Sequence, residues 1–170
     1  MARKPKGSYF LNTPDWFFNL TASVGANNPG ASGTHAVCDL FNDAQDGSLL
    51  YIYAIESFNQ GTVSIRVQQV HGHTAGTSDG PSYPINPNVG QLPGHLYIDQ
   101  IAGFTQPNTD PYIFSVGALA DEFIQPGGPA MILPPGYSCR LYNNAVAFGF
   151  TCWFYYVVLR DSGTAPGGTP

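Results

Sequence analysis

An all-β fold, an antiparallel two-sheet sandwich of the jelly-roll type, is what this sequence predicts, and three observations predict it. Glycine (20) and proline (15) make up about a fifth of the 170 residues, which leaves little room for long helices. No stretch sustains apolar residues at i, i+3, i+4 and i+7 for three turns. Short runs rich in β-branched and aromatic residues, punctuated by turn dipeptides, recur along the chain instead. About eight to nine strands joined by turns and one long connection suit a sandwich or barrel, and among such plans a two-sheet jelly roll.

The first strand is expected over Asp15–Val24, ended by Asn27-Asn28-Pro29-Gly30. Its consecutive Trp16, Phe17 and Phe18 put bulk on both faces. Thr34–Phe41 follows, then an Asp46-Gly47 corner, then Ser48–Phe58, in which Tyr51 and Tyr53 fall on one side and Leu50, Ile52 and Ala54 on the other. Asn59-Gln60-Gly61 leads into Thr62–Val70, with Val63, Ile65 and Val67 inward and Thr62, Ser64, Arg66 and Gln68 outward. Asp-Gly and Asn-x-Gly corners between alternating runs are hairpin signals. His71–His95 is the longest stretch of low hydrophobicity, a 25-residue connection with no expected secondary structure. Connections of that length tend to be functional or to wrap over a neighbour. Strands resume at Leu96–Ala102 and Pro111–Ala120, Asp121–Pro129 is a second loop, and Ala130–Leu133, Tyr137–Tyr142 and Ala145–Leu159 complete the body.

The last strand is the most informative. Ala145–Leu159 holds fifteen residues without a charge. At period two, Val146, Phe148, Phe150, Cys152, Phe154, Tyr156 and Val158 share one face, and Trp153, Tyr155, Val157 and Leu159 lie on the other. A strand this apolar on both sides needs cover on both. The first face is expected to close the sandwich, and the Trp153 side to meet the other sheet's edge or a sister subunit. The run is too short for a membrane-spanning helix, which needs about 18 or more apolar residues. No secretory signal is read at the start, so the chain is expected to be soluble and made in the cytoplasm, with reduced thiols. Cys38, Cys139 and Cys152 form no CxxC or metal spacing, and Cys152 reads as a buried small hydrophobe.

Only 10% of residues are charged, a composition suited to packing against neighbours. Arg3, Lys4 and Lys6 are half of the six basic residues; from Gly7 onward three basic residues face eleven acidic ones, a net of −8. A basic arm on an acidic body can dock on an acidic partner surface, whereas three charges are too few for nucleic-acid binding. The organisation expected is a basic arm over 1–13, one jelly-roll-like domain over 14–160 and a flexible tail over 161–170. Neither nucleic acid nor membrane is an expected partner.

Catalytic patterns are missing. His71-Gly72-His73 would place two imidazoles on one face of a strand, half of a metal site that lacks further ligands in suitable spacing. Asp121 and Glu122 are adjacent and point apart in an extended chain, so they make no acid/base pair. Ser138 lies outside a nucleophile elbow. A non-enzymatic protein with no cofactor is expected. Aromatic excess with few charges marks the centre of protein–protein interfaces. Arg3, Lys4, Lys6, Trp16, Phe17, Tyr83, Trp153 and Tyr155 are the candidate interface residues.

Leu133-Pro134-Pro135-Gly136-Tyr137, a short strand, and a long apolar strand with Cys152-Trp153-Phe154 together resemble small virion proteins of tailed bacteriophages. The resemblance implies a capsid cement or decoration protein of jelly-roll fold, a homotrimer that bridges the major capsid protein or other virion subunits and has no enzymatic activity. The alternatives are a tail-fibre or receptor-binding tip, and a carbohydrate-binding module or cupin-like metal enzyme.

Overall fold

Alternating apolar runs become twelve strands in a computed structural model that describes residues 19–59, 65–104, 112–116, 121–124 and 131–159. They are β1 (Thr21–Asn28), β2 (Thr34–Phe41), β3 (Leu49–Asn59), β4 (Ile65–His71), β5 (Thr77–Pro81), β6 (Tyr83–Pro84), β7 (His95–Ala102), β8 (Tyr112–Val116), β9 (Asp121–Ile124), β10 (Met131–Leu133), β11 (Tyr137–Asn143) and β12 (Phe150–Leu159). Every pairing is antiparallel. Sheet A runs β10-β3-β12-β1-β6, with β9 also paired to β3; sheet B runs β5-β7-β2-β11-β4-β8. β1, β2, β3 and β4 alternate between the sheets, and the late strands β11 and β12 insert between β2 and β4 and between β1 and β3. That connectivity is a jelly roll.

The core lies between the sheets. Phe150, Cys152, Phe154, Tyr156 and Val158 of β12 are fully buried against Leu40 of β2 and Leu96 of β7, among others. The alternation read from the sequence therefore holds within β12, but the strand starts at Phe150. Ala147 adopts φ 70°, which breaks the extended run, and Val146 and Phe148 are exposed. Behind them Gly149 has no room for a Cβ against the backbone of Asn28 and Pro29.

Tertiary contacts also move other boundaries. β1 extends through Asn28, because its buried amide donates to Val37 O and Asp99 O in sheet B. Trp16 and Phe17 lie outside the described residues, as do Val63 and the expected arm and tail. In β3 a bulge opposite Tyr155/Tyr156 makes Ile55, not Ala54, join the core after Leu50 and Ile52. The Asp46-Gly47 corner forms, with Ser48 N donating to Asp46 Oδ1, but it links strands of different sheets and is no hairpin. The 71–95 connection contains two strands, β5 on the edge of sheet B and β6 on that of sheet A. β5 (TSDGP) carries no apolar stripe because its side chains are mostly exposed. Asp121–Ile124, expected as loop, is β9.

The Leu133–Tyr137 turn is held by Asn42. Its buried amide donates to Ser48 O and Leu133 O, its main-chain N donates to Tyr137 O, and its main-chain O accepts from Gly136 N. Gly136 has φ 82°, the left-handed conformation that glycine adopts without strain.

All three cysteines are free and buried. Cys139 and Cys152 belong to different sheets; Cys152 lies instead within hydrogen-bonding reach of the Cys38 thiol across the core. Burial pushes the Cys38 and Cys139 thiols and the Tyr156 phenol well above their ordinary values. These are acids whose neutral form the fold favours, so their contribution is intact below the unfolded pKa and lost as pH rises past it. Stability is expected to hold to about pH 8.5 as far as these groups are concerned, then fall by about 1.4 kcal/mol per pH unit for each unfolded-state thiol that ionises. Tyrosine adds to the loss above about pH 10. Urea midpoints at pH 7.5 and 10 under reducing conditions check this; an unchanged midpoint would contradict it.

Candidate interaction face

The two outer faces of the sandwich differ. On sheet B the described outer face around Asp39 is covered by the chain's own loop. Asp39 is fully buried there and receives a bidentate bond from Arg140, Nε to Oδ1 at 2.8 Å and an Nη2 contact to Oδ2 at 2.7 Å. Thr74 N donates to the same carboxylate at 2.6 Å, and Thr74 Oγ1 donates to Asp99. His73 stacks on Tyr97 with ring centroids 3.8 Å apart, and Phe41 packs edge-on to His73. Gln68, expected outward, does lie on this face beside Arg140 but is fully buried, and among the described residues its amide has no partner.

Sheet A is open. Register sets Tyr83 of β6 opposite Ser23 of β1, and Ser23 opposite Tyr155 of β12. The adjacent row is Gly25, Trp153 and Glu56, and the next is Asn27, Thr151 and Phe58. Directly opposed residues of an antiparallel pair share a face. Tyr83 is 71% exposed, Phe58 47% and Trp153 41%, an unusual density of large apolar surface left to solvent. Tyr51 and Tyr53 are half-buried on the same side, and the Tyr53 and Tyr155 rings lie 6.5 Å apart. At the β10 edge Ile132, opposite Tyr51, is also exposed.

The indole of Trp153 covers Gly25 so closely that a Cβ there would overlap the ring. A residue without a side chain thus lets the indole lie over β1. Polar groups sit between the rings. Tyr155 Oη donates to Glu56 Oε2 at 2.9 Å, and Thr151 Oγ1 donates to Asn27 Oδ1 at 3.1 Å. Partial burial, and then the Glu56 carboxylate, hold the Tyr155 phenol above the ordinary tyrosine value.

Of the sequence-predicted site residues, Tyr83, Trp153 and Tyr155 come together here. Arg3, Lys4, Lys6, Trp16 and Phe17 lie outside the described residues. The Trp153 side faces outward and does not meet sheet B. Glu56, Phe58 and Ile132 were not singled out from sequence; the tyrosines at 51 and 53 pointed to an outward aromatic side of β3, but only the register shows what it adjoins.

The histidines part company. β4 ends at His71, Gly72 turns the chain at φ 75°, and His71 meets the Tyr137 ring while His73 stacks on Tyr97. The two imidazoles therefore do not share a strand face. His35 bonds Asn143 O, and His95 lies 3.2 Å from Asp43. Among the described residues no three His, Cys, Asp or Glu side chains converge as metal ligands. Ser138 Oγ donates to Gly72 O. Among the described residues solvent-open pockets lie elsewhere, one of about 300 Å³ beside Asn28, Gly76 and Asp99 and one of about 460 Å³ beside Asp43, Gln91 and His95. No family model, curated protein or solved structure matches the chain.

Proposed function

We propose that this chain is a non-enzymatic structural protein of a phage-like particle, a homotrimeric cement protein that bridges neighbouring capsid subunits. The observation that carries the reading is the outward face of sheet A, where Trp153, Tyr155, Tyr83 and Phe58 lie side by side on a jelly roll. Aromatic side chains are rigid and large, and desolvating them between subunits is the main source of interface energy. The mechanism is burial of this face against a neighbouring subunit, with Glu56, Asn27 and Thr151 fixing register. A standard interface needs about 800 Å² from each partner.

Sedimentation of the full chain is expected to give a trimer that Trp153→Ala and Tyr83→Ser weaken by about tenfold or more, since central aromatic anchors each contribute about 2 kcal/mol or more. Mass spectrometry of intact particles from a lysate containing the protein is expected to find it in stoichiometric amount. A stable monomer absent from particles overturns the reading.

One observation favours a receptor-binding tip as the second reading. A flat exposed indole next to a carboxylate and an amide also suits a sugar ring, whose C–H face stacks while its hydroxyls hydrogen-bond. Trp153 fluorescence that responds to a glycan array hit, with no change in oligomeric mass on Trp153→Ala, would favour that role over cement.

A further inference from the structure

Among the described side chains Glu56 puts a carboxylate on the outer face of sheet A, and the six strands of that sheet contain not one lysine or arginine. Register places Asp121 opposite Phe58, in the row beside that of Trp153 and Glu56. Among the described side chains the one arginine at hand, Arg140, is committed to Asp39 on sheet B. Of the chain's other five basic residues three, Arg3, Lys4 and Lys6, lie at its start, ahead of Thr21 where β1 begins on sheet A, with Arg66 in β4 and Arg160 after β12. Electron-rich ring faces attract guanidinium and ammonium groups, best at tryptophan, and a nearby carboxylate adds to that attraction. Glu56 accepts from Tyr155 through Oε2, and a carboxylate has capacity for further donors.

We infer that the Trp153–Tyr155–Glu56 face of one copy binds the basic Arg3–Lys6 segment of a neighbouring copy. The inference rests on the interface reading above and names its occupant. The guanidinium of Arg3 or an ammonium of Lys4 or Lys6 lies over the indole and against Glu56, while the remaining rings take the aliphatic stems. Twelve residues, 7–18, separate Lys6 from Asn19, where the described chain begins, a span of up to about 40 Å when extended. A ten-residue strand such as β12 is about 34 Å long, so the segment has the length to leave its own sheet and reach the next. Each copy then gives an arm and receives one, a head-to-tail contact that closes into a ring.

The test uses full-length chains. Arm-neutral protein (Arg3→Gln, Lys4→Gln, Lys6→Gln) and face variants (Glu56→Gln with Trp153→Ala) are expected to self-associate at least about tenfold more weakly than wild type. Raising salt from about 0.1 to 1 M, which shortens screening from about 10 to 3 Å, is expected to weaken wild type and leave the arm-neutral protein little changed. An equimolar mixture of arm-neutral and face variants is expected to form a heterodimer, because each supplies what the other lacks. Circular dichroism checks that each variant is folded. Arm-neutral protein that associates like wild type, or a mixture that stays monomeric, overturns the inference. If the face variant alone loses association, the interface reading stands and the arm falls. If neither variant changes association, both fall.

Discussion

Arg140→Met is expected to destabilise the fold by about 3–5 kcal/mol, because it leaves a buried carboxylate without its cation. Asp39 is fully buried, and Arg140 supplies two of the three bonds it accepts, the third coming from Thr74 N. The loss is not the worth of the ion pair. It is mainly the cost of an uncompensated charge, which water would otherwise have solvated. The double substitution Asp39→Leu with Arg140→Met is therefore expected to be milder than Arg140→Met alone, although Thr74 N then loses its acceptor. Urea denaturation at pH 7 measures both. A single-variant loss under about 1 kcal/mol would mean that Asp39 does not depend on Arg140.

The second large effect lies one sheet away. Phe154→Ala removes a fully buried ring between the sheets, opposite Val24 and Ile55, and is expected to cost about 3–5 kcal/mol through lost transfer energy and a residual cavity. Its chain neighbour supplies the contrast. Trp153 is 41% exposed on the opposite face, so Trp153→Ala is expected to alter stability by much less while weakening association. Adjacent residues of one strand should thus separate folding from assembly. Equal stability losses at the two positions would contradict the face assignment on which the interface reading depends.

How far this was legible differs along the chain. The inward set of β12, Phe150 to Val158 in steps of two, could be read directly because side chains of a strand alternate faces. Its start could not. Nothing local in Ala145–Gly149 announces that Ala147 turns left-handed or that Gly149 must pass the Asn28–Pro29 backbone. β5, β6 and β9 were invisible for a related reason: short edge strands are defined by hydrogen bonds to a neighbour, not by apolar patterning. Gln68 lies on the outward face as read, yet it is fully buried, because periodicity tells which face a residue is on, not whether that face is covered.

By itself the sequence determined the all-β class, the two-sided apolar character of the last strand and the separation of basic arm from acidic body. Those depend on composition and on the period-two geometry of an extended chain, both local properties. Only the tertiary structure decided which strands are neighbours. Pairing of β1 with both β6 and β12 places Tyr83, 70 residues from Trp153, on the same surface, and puts Gly25 where the indole needs room. Register is a long-range property, fixed by how two sheets share one core, so the face that it assembles had no signature along the chain.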